Sequence, residues 1–221
     1  MKTIKSYFPF YLVLLPVLIV WLFEKAILFS LPIMVSPGNT MIYFYLPFLS
    51  VIPPLILLII WFFLREKTSS KPIFSGGQTM IIRDIISGAA LSGVSILLFM
   101  GSFHLLDYHS VTLPDFTSIS LMHHIFFSTI GALVSGISEE LYFRGLLFQK
   151  LHTLKLAMLI FISSLAFSMW HILSPTYLLH TFLMGILFGI VYHKTKRLLP
   201  VIVGHTMANM CAGVIISNGY L

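Results

Sequence analysis

Apolar runs long enough to cross a bilayer as helices recur along this chain, at residues 7–35, 41–64, 84–106, 121–151, 156–173, 177–193 and 199–217. In hydrocarbon every backbone N–H and C=O must find its partner inside protein, which leaves helices and closed barrels as spanning structures. Continuous apolar runs of about 20 residues suit helices. The expected fold is therefore all-α: a polytopic transmembrane helical bundle of about seven spans. Charged residues make up 9% of the chain, against about 25% in soluble domains, and the mean hydropathy is +0.99. The single cysteine, Cys211, excludes an intramolecular disulfide or a cysteine metal cluster and reads as a small packing residue.

Taken in order, Lys2 and Lys5 precede the first run, which is too long for a signal peptide and lacks a small-residue cleavage site. Pro9 and Pro16 are expected to kink it, and Glu24-Lys25 to mark its outer end. Ser36-Pro37-Gly38-Asn39 is a turn. Pro47 and Pro53-Pro54 are expected to break the regularity of the second span. Residues 65–83 form the longest polar segment and read as a solvated loop. This divides the chain into an N-terminal membrane region, residues 1–106 with the polar loop at 65–83, and a four-helix core, residues 121–217.

The net charge of +6 hints at nucleic acid only until the charges are placed. Lys2 and Lys5, then Arg65, Lys67, Lys71 and Arg83, then Lys150 and Lys155, then Lys194, Lys196 and Arg197 fall in loops on alternate sides of the spans. The opposite loops, 36–40, 107–120 and 174–176, hold no lysine or arginine. By the positive-inside rule the N-terminus is cytoplasmic. The partners expected are the lipid bilayer and a membrane-associated substrate, with no nucleic acid.

Against this background Ser138-Glu139-Glu140-Leu141-Tyr142-Phe143-Arg144 stands out. A carboxylate at the centre of a membrane helix costs about 3 kcal/mol on the insertion scale. Glu140 and Arg144, four residues apart, share one helix face and can pair. Glu139 is rotated by about 100° and faces a different neighbour. One glutamate is expected to do chemistry while the other holds the site together.

Of the nine histidines, His104, His109, His123 and His124 flank the 107–120 loop, and His152 and His193 sit beside loop lysines. His180 has no polar partner at helical spacing. His171 ends Phe167-Ser168-Met169-Trp170-His171, and His205 opens His205-Thr206-Met207-Ala208-Asn209, whose spacing puts imidazole and amide on one face. These residues permit amide hydrolysis. A glutamate can take a proton from water and return it to the leaving amine, with His171 sharing that water. His205 and Asn209 can hold the oxyanion of a tetrahedral intermediate. Alternatively, His171 and His205 with Glu139 or Glu140 could hold a zinc ion, the other glutamate serving as base. No His-Glu-x-x-His run supports that version.

Glu-Glu-x-x-x-Arg, Phe-x-x-x-His and His-x-x-x-Asn in this order on successive helices resemble the CPBP family, the CAAX-prenyl-protease and bacteriocin-processing (Abi-type) intramembrane proteases that include the Ras-converting enzymes. The matching positions are Glu139, Glu140 and Arg144; Phe167 and His171; His205 and Asn209. The resemblance covers about residues 121–217. It implies an intramembrane endopeptidase in which Glu139 activates water, His171 assists, and His205 with Asn209 forms the oxyanion site. Arg144 and Phe167 are then supports. Family members are described both as metalloproteases and as metal-free glutamate proteases. Asn209, a poor zinc ligand, inclines the reading to metal-free chemistry. The implied setting is a bacterial cell membrane, and the implied substrate a lipidated, signalling or bacteriocin-like peptide or protein.

The same residues also have packing explanations. Glu140–Arg144 can be a buried ion pair, His205 and Asn209 can bond helices together, and Gly131, Gly136, Gly145, Gly185 and Gly189 can mark close helix approach. A second reading keeps the fold as a non-proteolytic immunity or membrane-partner binding protein. A third, a transporter, lacks repeated halves. Helix rise poses one difficulty: Glu140 lies about 15 Å from Lys150 and His205 about 12 Å from Arg197, but His171 lies about 24 Å from Lys155. Straight parallel spans would not bring the three together; either the fifth span begins well inside the boundary or the long fourth span is tilted or broken, tilt being the preferred remedy.

Overall fold

The computed structural model describes residues 42–64, 77–105, 121–171 and 175–217, together with the helical residues 15, 18, 19 and 22. The first run, its prolines and Glu24-Lys25, the turn at 36–39 and the polar loops at 65–76 and 106–120 lie outside the described residues. Among the described residues the protein is all-helical: α1 (Ile42–Leu64), α2 (Gln78–Leu105), α3 (Leu121–Glu140), a π-helical turn (Leu141–Leu146), α4 (Leu147–Lys150), α5 (Leu156–Trp170), α6 (Pro175–Thr195) and α7 (Leu199–Ser217). Gln78–Ser102 and Leu178–Thr195 are long and apolar enough to cross a membrane. Shorter apolar helices occupy Val51–Leu64, Leu156–Trp170 and Leu199–Val214.

Four expectations are corrected. Helix α1 runs unbroken through Pro47, Pro53 and Pro54, as neighbouring helices allow in an apolar setting. Helix α2 begins at Gln78, so residues 78–83, Arg83 among them, are helical where the polar loop was expected, and Asp84 lies inside the helix. The reason is visible at Asp84, which is buried and accepts from Arg197 Nε at 2.5 Å. The partner lies on the α6–α7 turn, 113 residues away, beyond the reach of local pattern. Helix α5 stops at Trp170, before residue 173, with His171 as its C-cap at φ −107° and ψ 44°. Finally, the fourth span is a broken element. After Glu140 the chain widens into the π turn, whose Phe143 carbonyl accepts from Ser163 Oγ on α5 at 3.0 Å. π turns are rare and concentrate at functional sites.

The core gathers around that turn. Tyr142, Phe143, Leu146 and Leu147 are buried with Phe167 and Phe188 from α5 and α6. Outward faces carry Phe63, Ile86, Leu97 and Phe161, each more than half exposed, as suits contact with lipid tails. With hydrocarbon outside, packing and close approach hold such helices together. At Gly136 a Cβ would collide with Thr206 Oγ1 and lie 3.0 Å from the Thr206 backbone nitrogen, so α3 and α7 meet beside His205. At Gly185 it would lie 2.9 Å from Ser164 Cα, joining α5 to α6. Gly145 is different: its nearest neighbour, Trp61 Nε1, is at an ordinary 3.4 Å.

Gly136→Ala is therefore expected to push α3 and α7 apart at a cost of about 1–3 kcal/mol. Gly93→Ala, with nothing within 4 Å of the added carbon, serves as the control. Thermal unfolding in detergent should show a clear drop for the first and little change for the second. Equal stability of the two variants would contradict the contact.

Candidate active site

The site is assembled from three places: the end of α3, the C-cap of α5 and the middle of α7. Glu140 is fully buried and its Oε1 is shared. Arg144 Nη1 donates to it at 2.8 Å, and His205 Nδ1 lies at 2.8 Å. Arg144 is itself fully buried, donates from Nη2 to the Gly185 carbonyl at 3.1 Å, and stacks 4.6 Å from the Phe167 ring centroid. The expected pair on one face exists, and it reaches both α6 and α7. The close approach at Gly185 brings its carbonyl to the guanidinium.

Glu139 faces elsewhere. Its Oε2 lies 3.6 Å from His171 Nε2 and 3.8 Å from His205 Nε2, and it makes no hydrogen bond among the described residues. Trp170 supplies a side-chain hydrogen bond to the same carboxyl group. His205 thus presents its two ring nitrogens to the two adjacent glutamates.

Ring chemistry fixes the nitrogens. His171 Nδ1 lies 2.9 Å from the Phe167 carbonyl. A carbonyl only accepts, so Nδ1 carries the proton and Nε2 of the neutral ring keeps its lone pair. His205 Nδ1 likewise donates to Glu140 Oε1, the oxygen that also accepts from Arg144. Two imidazole lone pairs and a carboxyl oxygen therefore point at one small region. Acceptors do not satisfy one another, so the region calls for a donor such as water. Phe167 packs against both rings, tilted to His171 at a centroid distance of 4.8 Å and edge-on to His205 at 5.6 Å.

The donor types would suit zinc. Bonds of about 2.0–2.2 Å at near-tetrahedral angles set ligand atoms roughly 3.3–3.6 Å apart, so the 3.6 Å to His171 lies within that range and the 3.8 Å to His205 just beyond it. No group of three His, Cys, Asp or Glu side chains among the described residues forms a metal-ligand set.

Asn209 lies one helical turn beyond His205 on α7. Its Nδ2 donates to Ser135 Oγ at 2.9 Å, leaving one amide N–H for another acceptor. His180 is buried edge-on against Phe99 at 5.1 Å, within electrostatic range of His171 and His205. His104 is exposed, His152 Nδ1 meets the Gln149 carbonyl at 2.8 Å, and His193 Nδ1 meets Lys196 Nζ at 2.9 Å. The side chains of His123 and His124, and all of His109, lie outside the described residues. Sequence reading passed over Ser135 and Trp170. Ser135 was signalled by its place four residues before Glu139, and Trp170 only by adjacency to His171.

Together these features define a helical membrane protein with a buried carboxylate–imidazole centre on three helices. An Rce1-like domain, described as type II CAAX prenyl endopeptidase Rce1-like, is found at residues 121–211, a span that contains every residue of the centre. It is a protease family. No curated protein and no solved structure matches the chain.

Proposed function

We propose that the protein is an intramembrane endopeptidase in which Glu139 activates the hydrolytic water. The observation that carries this is the Glu139 Oε2 atom, buried, without a hydrogen bond among the described residues and faced by two imidazole nitrogens. In the proposed reaction a water held between Glu139 and His171 Nε2 attacks the peptide carbonyl carbon and gives its proton to Glu139. The Asn209 N–H stabilises the resulting oxyanion. His205, whose Nδ1 is engaged with Glu140, lines the same region with Nε2. The C–N bond then breaks and Glu139 passes the proton to the leaving amine. Glu140 and Arg144 hold His205 in register and Phe167 supports both rings. No step requires a metal.

The alternation of loop charges supports a multi-pass chain with a cytoplasmic N-terminus, in a bacterial cell membrane by the family resemblance. The substrate class is a membrane-associated peptide, for which the matched family's description suggests a prenylated C-terminal CAAX segment.

The test is cleavage of a farnesylated CAAX peptide and of a membrane-anchored peptide library by protein reconstituted in vesicles, with metal analysis of the same sample. Cleavage that persists through chelation and is lost in His205→Ala supports the mechanism. Cleavage lost on chelation and restored by zinc alone would replace it with a metal-assisted one. No cleavage of any probe would overturn the enzymatic reading.

A further inference from the structure

Beyond the motif residues, the structure offers one side chain that acts on the site through another. Helices α3 and α7 run antiparallel, and their contacts form successive rungs. Glu139 faces His205 at 3.8 Å, and one turn away Ser135 meets Asn209 at 2.9 Å. The tight Gly136–Thr206 contact lies between the two rungs and fixes the spacing of the helices there.

A hydroxyl has one proton and two lone pairs. Ser135 Oγ, which is buried, directs its proton to the Ala132 carbonyl at 3.3 Å. Toward Asn209 it can then only accept. This settles which end of the carboxamide faces α3: the NH2 group, not the carbonyl. An Asn side chain free to turn over would present its oxygen to the developing oxyanion half of the time, and like partial charges would repel. We propose that Ser135 is a positioning residue for Asn209, locking the carboxamide so that an N–H remains available to the oxyanion. The inference rests on the proposed function and adds a residue outside the three motifs.

The experiment compares wild type, Ser135→Ala, Ser135→Thr, Asn209→Ala and the Ser135→Ala/Asn209→Ala double variant on the farnesylated CAAX peptide, with thermal unfolding of each. Ser135→Ala is expected to lower kcat roughly 10- to 100-fold, the scale of a misplaced catalytic contact, with KM within about twofold of wild type. Ser135→Thr, which keeps the hydroxyl, should recover most of the loss. In the Asn209→Ala background the serine change should add nothing, because it acts through the absent amide. A wild-type kcat in Ser135→Ala, or the same fold loss with and without Asn209, would overturn the inference while leaving the endopeptidase intact. A rise in KM with kcat unchanged would also overturn it. If wild type itself cleaves nothing, the proposed function fails and this role fails with it.

Discussion

Glu139→Gln is expected to lower cleavage on the order of 10³-fold or more, while the protein remains as stable as wild type. General acid–base assistance contributes 10²–10⁴-fold, and in the proposed scheme one carboxyl group serves as base and then as acid. An amide of the same shape can do neither. The fold has little to lose in the exchange. Oε2 makes no hydrogen bond among the described residues, and the remaining oxygen of glutamine can still accept from Trp170. Initial-rate cleavage alongside thermal unfolding checks both halves. Activity within about tenfold of wild type would remove Glu139 from the mechanism.

Arg144→Ala should have the opposite profile, with a large loss of stability ahead of any effect on chemistry. Breaking a buried ion pair by removing one partner costs about 3–5 kcal/mol, because the other charge is left uncompensated. Glu140 and Arg144 are both fully buried, and the change also removes the bond to the Gly185 carbonyl and the stacking on Phe167. Against a typical total of about 5–15 kcal/mol, the variant is expected to accumulate poorly and unfold at much lower temperature. Arg144→Lys should fall between, since a point charge cannot reach both oxygens with a planar fork. The Glu140→Gln/Arg144→Met double variant should regain stability and stay inactive, because the His205 ring has lost its anionic partner. Thermal unfolding of the three variants in detergent decides the matter. Stability in Arg144→Ala equal to wild type would show that the pair does not hold the bundle.

How much of this was legible in the residues follows from range. The Glu140–Arg144 pair is four residues long, and a helical wheel finds it. The divergent facing of Glu139 follows from the same wheel, and the three motifs in order pointed to one centre. What the wheel could not find is how helices meet. Arg197 was counted as a loop charge, yet it closes on Asp84 across the bundle. Ser135 belongs to none of the three motifs, and only α7 brings Asn209 to it. The prolines of α1 promised a break that packing overrides, whereas the break after Glu140 had no proline to announce it. The concern that His171 sits too far along its helix looked to tilt for an answer. In the structure His171 reaches Glu139 from the end of a shortened α5, beside a π turn.

That shortened helix bears on where the reaction gets its water. At 15 residues, α5 is about 22 Å long, against a hydrocarbon layer of about 30 Å. Lipid beside a short helix thins to meet it. His171, at the tip, is 20% accessible where Glu139 and His205 are nearly sealed. If α5 crosses the bilayer, water is expected to reach the centre most easily at this corner, and turnover to depend on the membrane as well as the protein: cleavage in vesicles of thin, short-chain lipids should exceed that in thick, sterol-stiffened ones, and equal rates would contradict it.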